Sequence, residues 1–316
     1  MTIDNRLTRL LDIKHPVILA PMDVISGGKL AAAVSHAGGL GLLGGGYSDT
    51  GWIEREWANA GNARIGCGFI TWALAKRPEA LEKALARRPS AVMLSFGDPR
   101  PFVAAIKAAG AHLICQAQTA RQAREAVDVG TDVVIAQGAE AGGHGINESL
   151  FTLLPQIVDA CHSVPVVAAG GIADGRGLAA AIMLGAEGVL MGTRFYASQE
   201  SAGHPEAKRR IVAAKGGETV RSLVFDLSRG VTWPTPYTGR VLRNAHLERW
   251  LGHEDELAAE SEHVQREYAS ARDRGDFDVA AVIAGEASAL IDDIPPAREI
   301  VERIAAEAER LMFRAR

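Results

Sequence analysis

The sequence predicts an α/β fold, a (β/α)8 TIM barrel with a helical cap segment inserted before its last helix. Three observations carry this. Eight short apolar runs recur through the first two-thirds of the 316 residues, with starts roughly 20 to 30 residues apart, the length of one strand, loop, helix and return loop. Alanine-rich helical stretches fill the gaps, and glycine ends several of them just before the next run. Beyond residue 196 that rhythm stops and a different composition takes over.

The runs occupy 17–20, 40–43, 65–69, 91–94, 112–115, 133–136, 164–168 and 188–191. They are apolar without alternation, as strands buried on both faces of a helix-covered parallel sheet require. Between them, 28–37, 77–87, 102–109, 119–129, 150–161 and 175–184 have helical character. Gly38, Gly110, Gly130 and Gly185 follow helical stretches, and glycine accepts the left-handed conformation that closes a helix ahead of a strand. Eight such units match a closed barrel better than an open doubly wound sheet. The stretch 211–284 departs from this: Val231-Thr232-Trp233-Pro234-Thr235-Pro236-Tyr237 is aromatic and proline-rich, and 250–274 is charged and helical. From 285 onward helical periodicity returns, with Ile300, Ile304 and Leu311 spaced for one apolar face. The expected organisation is a barrel built from 1–210 and 285–316, interrupted by a cap insertion at 211–284.

Apolar residues make up 47% and charged residues 23%, which fits a globular chain and excludes a disordered one. A formal net charge of −4 offers no general attraction to polyphosphate, so no nucleic-acid partner is expected. The basic cluster Lys208-Arg209-Arg210 reads as the solvated end of a helix. No apolar stretch reaches membrane-spanning length and the opening MTIDNRLTRL has no signal-peptide core, so the expected location is the cytoplasm. Cys67, Cys115 and Cys161 are odd in number and widely spaced, unlike a disulfide framework or a metal-binding pair. They are expected to be buried, reduced thiols, and no metal is expected.

In such a barrel the chemistry gathers at the C-terminal ends of the strands. The seventh run leads into Ala168-Ala169-Gly170-Gly171-Ile172-Ala173-Asp174-Gly175, and the eighth into Met191-Gly192-Thr193-Arg194. Glycines there let backbone N–H groups approach a phosphate, and the loops after strands seven and eight are the usual phosphate grip. Gly39-Leu40-Gly41-Leu42-Leu43-Gly44 fits the GxGxxG dinucleotide pattern, but that pattern must follow a strand and open a helix. Here a helical stretch precedes it, so close packing around the second strand accounts for it better. After the sixth run comes Ala136-Gln137-Gly138-Ala139-Glu140-Ala141-Gly142-Gly143-His144-Gly145. A histidine among three glycines belongs to no helical apolar face, and beside a phosphate grip it is the candidate catalytic residue. Neutral imidazole takes a proton from an acidic carbon, and the protonated ring hydrogen-bonds an oxyanion.

Taken in order, Ala20-Pro21-Met22, Glu140-Ala141-Gly142-Gly143-His144-Gly145, Ala169-Gly170-Gly171-Ile172-Ala173-Asp174-Gly175 and Met191-Gly192-Thr193-Arg194-Phe195 resemble the nitronate monooxygenase family, formerly called 2-nitropropane dioxygenases. The likeness spans about 14–210 and resumes near Ile291-Asp292-Asp293-Ile294-Pro295-Pro296-Ala297. It implies a noncovalent FMN across the barrel mouth. Ala20, Pro21 and Met22 would line the isoalloxazine with Gly142 and Gly143 beside it. The phosphate would lie against the segments Ala169-Gly170-Gly171 and Met191-Gly192-Thr193. Gln116 and Gln118, two apart at the end of the fifth strand, would share a face and reach flavin polar atoms. His144 matches the family's catalytic histidine. In that family an anionic nitronate passes one electron to FMN, and reaction with dioxygen yields a carbonyl compound and nitrite. The chain departs from the family pattern in its third run, Gly66-Cys67-Gly68-Phe69, where many relatives carry asparagine.

The implied partners are a small nitronate or nitroalkane and dioxygen, and an oligomer is compatible with the sequence. The alternative enzyme is an FMN-dependent reductase that oxidises NAD(P)H and reduces a quinone or an enoyl thioester. A non-catalytic barrel binding a phosphorylated ligand is the remaining alternative, against which His144 argues.

Overall fold

The computed structural model describes residues 3–313. Its barrel strands are β1 (Val17–Leu19), β2 (Leu42–Gly46), β3 (Gly66–Ile70), β4 (Ala91–Ser95), β5 (His112–Ala117) and β6 (Val133–Gln137). A short strand β7 (Gly143–Gly145) then leaves the barrel, which continues with β8 (Val166–Ala169) and β9 (Gly188–Met191). The eight barrel strands are parallel in the order β1-β9-β8-β6-β5-β4-β3-β2. A bridge between Ile18 and Leu40 closes the ring. It is made by Leu19 N–H donating to Leu40 O at 2.9 Å and Leu40 N–H donating to Val17 O at 3.0 Å.

The apolar runs divide their residues between two cores because side chains alternate along a strand. Val17, Leu19, Val134, Ala136 and Met191 face the surrounding helices. Ile18, Ile114, Ile135, Val167 and Leu190 fill the barrel interior. Both faces are dry, which is why the runs carry no visible alternation. Leu7 and Leu11 join the interior cluster from the helix Arg6–Leu11 and plug the base of the barrel. Asn5 starts that helix with a capping box: its side chain accepts from Thr8 N–H, and Asn5 N–H donates to the Thr8 hydroxyl.

The chain's last helix, Ala297–Phe313, buries Ile300, Val301, Ile304 and Ala308 against the barrel. It lies so close to the helix Gly175–Met183 that a Cβ on Gly175 would come within 2.5 Å of Glu307 Cβ. Leu311, which the spacing placed on the same face, is exposed; Ala308 ends the buried stripe. Lys208 also corrects its expectation as a solvated helix end. It is buried, and its ammonium donates to the carbonyls of Ser198 at 2.7 Å and Ser201 at 2.8 Å. The three cysteines are free and buried, with their thiol pKa values pushed up by burial, to about 11 for Cys115.

A second core gathers Ile211, Phe225, Leu247, Trp250, Val264 and Tyr268 from the stretch 211–284 with Tyr196. That stretch carries the helices Val224–Ser228, Ala245–Trp250, Glu254–Ala259 and Ser261–Arg274, and it also contains β10 (Thr219–Ser222) and β11 (Thr238–Leu242). These pair antiparallel, and β11 pairs antiparallel with β7, setting Gly239 opposite His144. Among the described residues no helix is long and apolar enough to cross a membrane.

Leu7 is fully buried in the barrel interior, so Leu7→Ala should lower unfolding stability by about 2–5 kcal/mol. Denaturant melts of variant and parent measure this, and an unchanged midpoint would show that the base needs no plug.

Candidate active site at the barrel mouth

A cavity of about 440 Å3 opens at the C-terminal ends of the strands, within the usual size of a cofactor or substrate pocket. Ala20, Pro21 and Met22 reach it after β1, and Gln116 from the end of β5. Gly142, Gly143 and His144 enter from the loop after β6, Ala169, Gly170 and Gly171 from β8, and Met191, Gly192 and Thr193 from β9. Gln118 does not line it. β5 ends at Ala117, so the two-residue alternation stops short of Gln118, whose side-chain oxygen accepts from Ile146 N–H at 3.1 Å.

The loops after β8 and β9 present bare backbone. Gly170 and Gly171 have φ of +101° and +70°, in the region that favours glycine. A Cβ on Gly170 would sit 3.0 Å from Ala141 N and 3.1 Å from Gly138 O. Among the described residues the amides of Gly170, Gly171 and Gly192 donate to no acceptor. Unspent N–H groups at a left-handed turn make an anion cradle, so this part of the mouth fits a phosphate. The Thr193 hydroxyl is engaged, accepting from Gly285 N–H at 2.9 Å. At Gly68, within the third run, a Cβ would come within 2.3 Å of Pro21 Cγ, so Pro21 takes the space that a side chain at this position would need.

The glycine loop that carries His144 is held from outside. Arg221 of β10 donates through Nη2 to the carbonyls of Ala139 (3.1 Å) and Ala141 (3.2 Å), and through Nη1 to that of Gly143 (3.3 Å). Arg240 of β11 adds a bond from Nε to Ala139 O at 2.9 Å. Gln137 donates to His144 O at 2.8 Å from inside the barrel. Where the chain returns from the insertion, Glu286 N–H donates to Glu140 O at 2.9 Å, and a Cβ on Gly142 would come within 2.6 Å of Gly285 N.

His144 itself is enclosed. Its Nε2 lies 3.0 and 2.9 Å from the two carboxylate oxygens of Asp226, on the insertion's short helix Val224–Ser228. The Trp233 ring stacks flat on the imidazole, with centroids 3.4 Å apart and planes 7° from parallel. Trp233 Nε1–H donates to the Tyr47 hydroxyl at 3.0 Å, and Phe96 meets Trp233 edge-on at 5.1 Å. Burial pushes the imidazole pKa below its ordinary value although Asp226 acts to raise it, so the ring is neutral at neutral pH. Arg229 also faces the cavity, its guanidinium 5.4 Å from the Tyr47 ring centre. Among the described residues the guanidinium forms no hydrogen bond or ion pair, although the Arg229 backbone N–H donates to Phe225 O at 3.1 Å. The sequence singled out Trp233, but Asp226, Arg221 and Arg229 lie off the strand ends where the barrel rule directs attention, whereas Tyr47 directly follows β2 and was open to that rule.

The nitronate monooxygenase family model matches residues 4–63 and 69–307. The chain belongs to the nitronate monooxygenase family. It is accordingly a flavin-dependent oxidoreductase. A nitronate monooxygenase of Neurospora crassa is 33% identical across 94% of this chain and 90% of its own. FabK from Thermotoga maritima superposes with a TM-score of 0.88 at 32% identity, covering 99% of both chains. A nitroalkane oxidase from Streptomyces ansochromogenes gives a TM-score of 0.81 at 27% identity, covering 99% of this chain and 100% of that one.

Replacing Gly171 with Asp would set a carboxylate in the cradle on a backbone with φ of +70°, adding charge repulsion to strain. The purified variant should have lost most of its visible flavin absorbance per protein while keeping a parent-like far-ultraviolet spectrum. Full flavin occupancy would place the cradle elsewhere.

Proposed function

We propose that this protein oxidises alkyl nitronates with dioxygen, using FMN, to a carbonyl compound and nitrite, and that neutral nitroalkanes enter the same path after losing a proton to His144. The observation that carries the reading is a buried, neutral histidine lining a cavity that is also lined by a glycine cradle of unspent backbone amides. The reading takes FMN and not FAD because the unspent amides form one cradle, at Gly170, Gly171 and Gly192. The division into a barrel of 1–210 and 285–316 and a cap of 211–284 is part of the proposal, with the cap supplying the wall over the substrate.

Bound FMN supplies the redox chemistry that links substrate oxidation to dioxygen. The residues do the rest. The backbone at Gly170, Gly171 and Gly192 holds the phosphate, while Ala20, Pro21, Met22, Gly142 and Gly143 flank the ring system. His144 accepts the proton of a neutral nitroalkane and then, as imidazolium, donates to a nitro oxygen. The aromatic wall of Trp233, Tyr47 and Phe96 keeps water from the reacting carbon. Arg229, a cation in the cavity with unspent donors, is the countercharge for an anionic substrate.

Air-saturated protein given preformed nitronate should consume oxygen and release nitrite, whereas NAD(P)H should not bleach the flavin under anaerobic conditions. The reverse result would favour a reductase acting on a quinone or enoyl thioester, a reading supported by the higher TM-score against FabK. A charge-assisted hydrogen bond contributes about 1.5–3 kcal/mol. Arg229→Gln should therefore raise the nitronate KM by roughly 10- to 10²-fold, with flavin content unchanged. An unaltered KM would remove Arg229 from substrate binding.

A further inference from the structure

The pairing of His144 with a carboxylate from the insertion has a consequence for which ring nitrogen does the chemistry. An ionised carboxylate only accepts hydrogen bonds, and both oxygens of Asp226 lie within 3.0 Å of Nε2. The proton of the neutral ring must therefore sit on Nε2. Nδ1 has no partner among the described residues and retains its lone pair. We propose that Asp226 is a positioning residue for proton transfer: it fixes His144 as the Nε2–H tautomer, so that Nδ1 takes the proton when the C–H bond of a neutral nitroalkane breaks and the electron pair stays behind as the nitronate.

Structural duty alone accounts poorly for Asp226. The two side chains are only 9% and 7% exposed, and among the described residues the Asp226 carboxylate bonds to nothing except His144. It caps no helix and meets no arginine within ion-pairing distance. Burying a carboxylate against a neutral ring costs solvation that a single hydrogen bond repays poorly, whereas orienting a base against a fixed acceptor is what general-base catalysis needs. Trp233 covers one ring face at 3.4 Å, and Gly239 lies across the Nε2 edge on β11. The charged groups acting on the ring are Asp226, Arg229 and Arg221. The two arginines and burial lower its pKa and Asp226 raises it, with burial the largest effect.

The substrate half of this inference rests on the proposed nitronate chemistry, and the tautomer half does not, so two measurements separate them. In holoenzyme labelled with ¹⁵N-histidine, His144, assigned by its absence from a His144→Gln sample, should show the neutral Nε2–H pattern at pH 7. Asp226→Asn offers the ring both a donor and an acceptor, and should give a mixture of tautomers. For a neutral nitroalkane, kcat/KM of Asp226→Asn should fall by on the order of 10²-fold or more, the lower end of what a positioned base contributes. Its rate on preformed nitronate should stay near that of the parent. Removing the carboxylate removes the one influence that raises the pKa, so the acid limb of the nitroalkane pH profile should move to lower pH. A carboxylate that merely braced the fold would give the opposite sign, because a loosened, wetter site returns the ring toward about 6.5. An Nδ1–H tautomer in the parent would overturn the proposal, as would an acid limb moving up with equal losses on both substrate forms. If neither substrate form turns over, the nitronate reading fails while the parent's tautomer still tests the role of Asp226; turnover of the preformed nitronate alone would overturn the proton-transfer role.

Discussion

The site depends on holding a loop that has almost no side chains of its own. Gly142 and Gly143 line the cavity beside His144, and neither could carry a Cβ at no cost: Gly142 abuts Gly285, and Gly143 has φ of +74°. A chain of glycines is the least ordered of all until something fixes it. Here the fixing groups act on its carbonyls. Arg221 and Arg240 spread their donors over Ala139, Ala141 and Gly143, and β11 pairs with β7 along the same stretch. The barrel alone offers Gln137 from within and Gln118 from the side.

That arrangement makes the insertion part of the active site in an energetic sense. Burying two guanidinium groups is expensive, and desolvation with the neighbouring charge of Arg240 pulls the pKa of Arg221 down to about 10. The group is still charged at neutral pH, so the cost is met by carbonyl acceptors and not by losing the proton. The loop's order and the docking of β10 and β11 therefore belong to one cooperative unit. If the insertion separates from the mouth, the loop loses its clamp, His144 loses both Asp226 and Trp233, and Arg221 and Arg240 lose the loop carbonyls and keep only Thr238 O and the Thr219 hydroxyl.

The barrel was legible because its physics repeats. Each barrel strand overlaps a short apolar run, several helices are closed by glycine, and the catalytic address is a strand's C-terminal end, so Pro21, Gly170, Gly192 and His144 could be located before any contact was known. The insertion obeys no repeat. β10 and β11 are short and carry arginines that reach the glycine loop, and only Val220, Val241 and Leu242 meet the second core, so their sequences show little of the alternation or apolarity of a strand. Asp226 and Arg229 lie in and just after a five-residue helix, and nothing in the spacing from 226 to 144 announces a contact. Two smaller misjudgements have the same root. Gln118 was given a strand's alternation one residue past the strand's end, and Leu311 was given the stripe of a helix whose buried face had already ended at Ala308.

The division between a periodic barrel and an aperiodic insertion also divides the chemistry. FabK and the nitroalkane oxidase each cover nearly the whole chain, so the barrel and its additions recur together across proteins with different names. Under the proposed function, a phosphate cradle made of backbone amides grips only the cofactor and does not discriminate between substrates. The groups proposed to meet the substrate are Trp233, the guanidinium of Arg229, and a histidine whose partner, Asp226, lies outside the barrel repeat. A substitution in the insertion can thus change the charge presented to the substrate or the basicity of His144 without touching a cradle amide. The same cofactor grip can then serve several oxidoreductase activities, with substrate choice written in the residues that have no periodic signal.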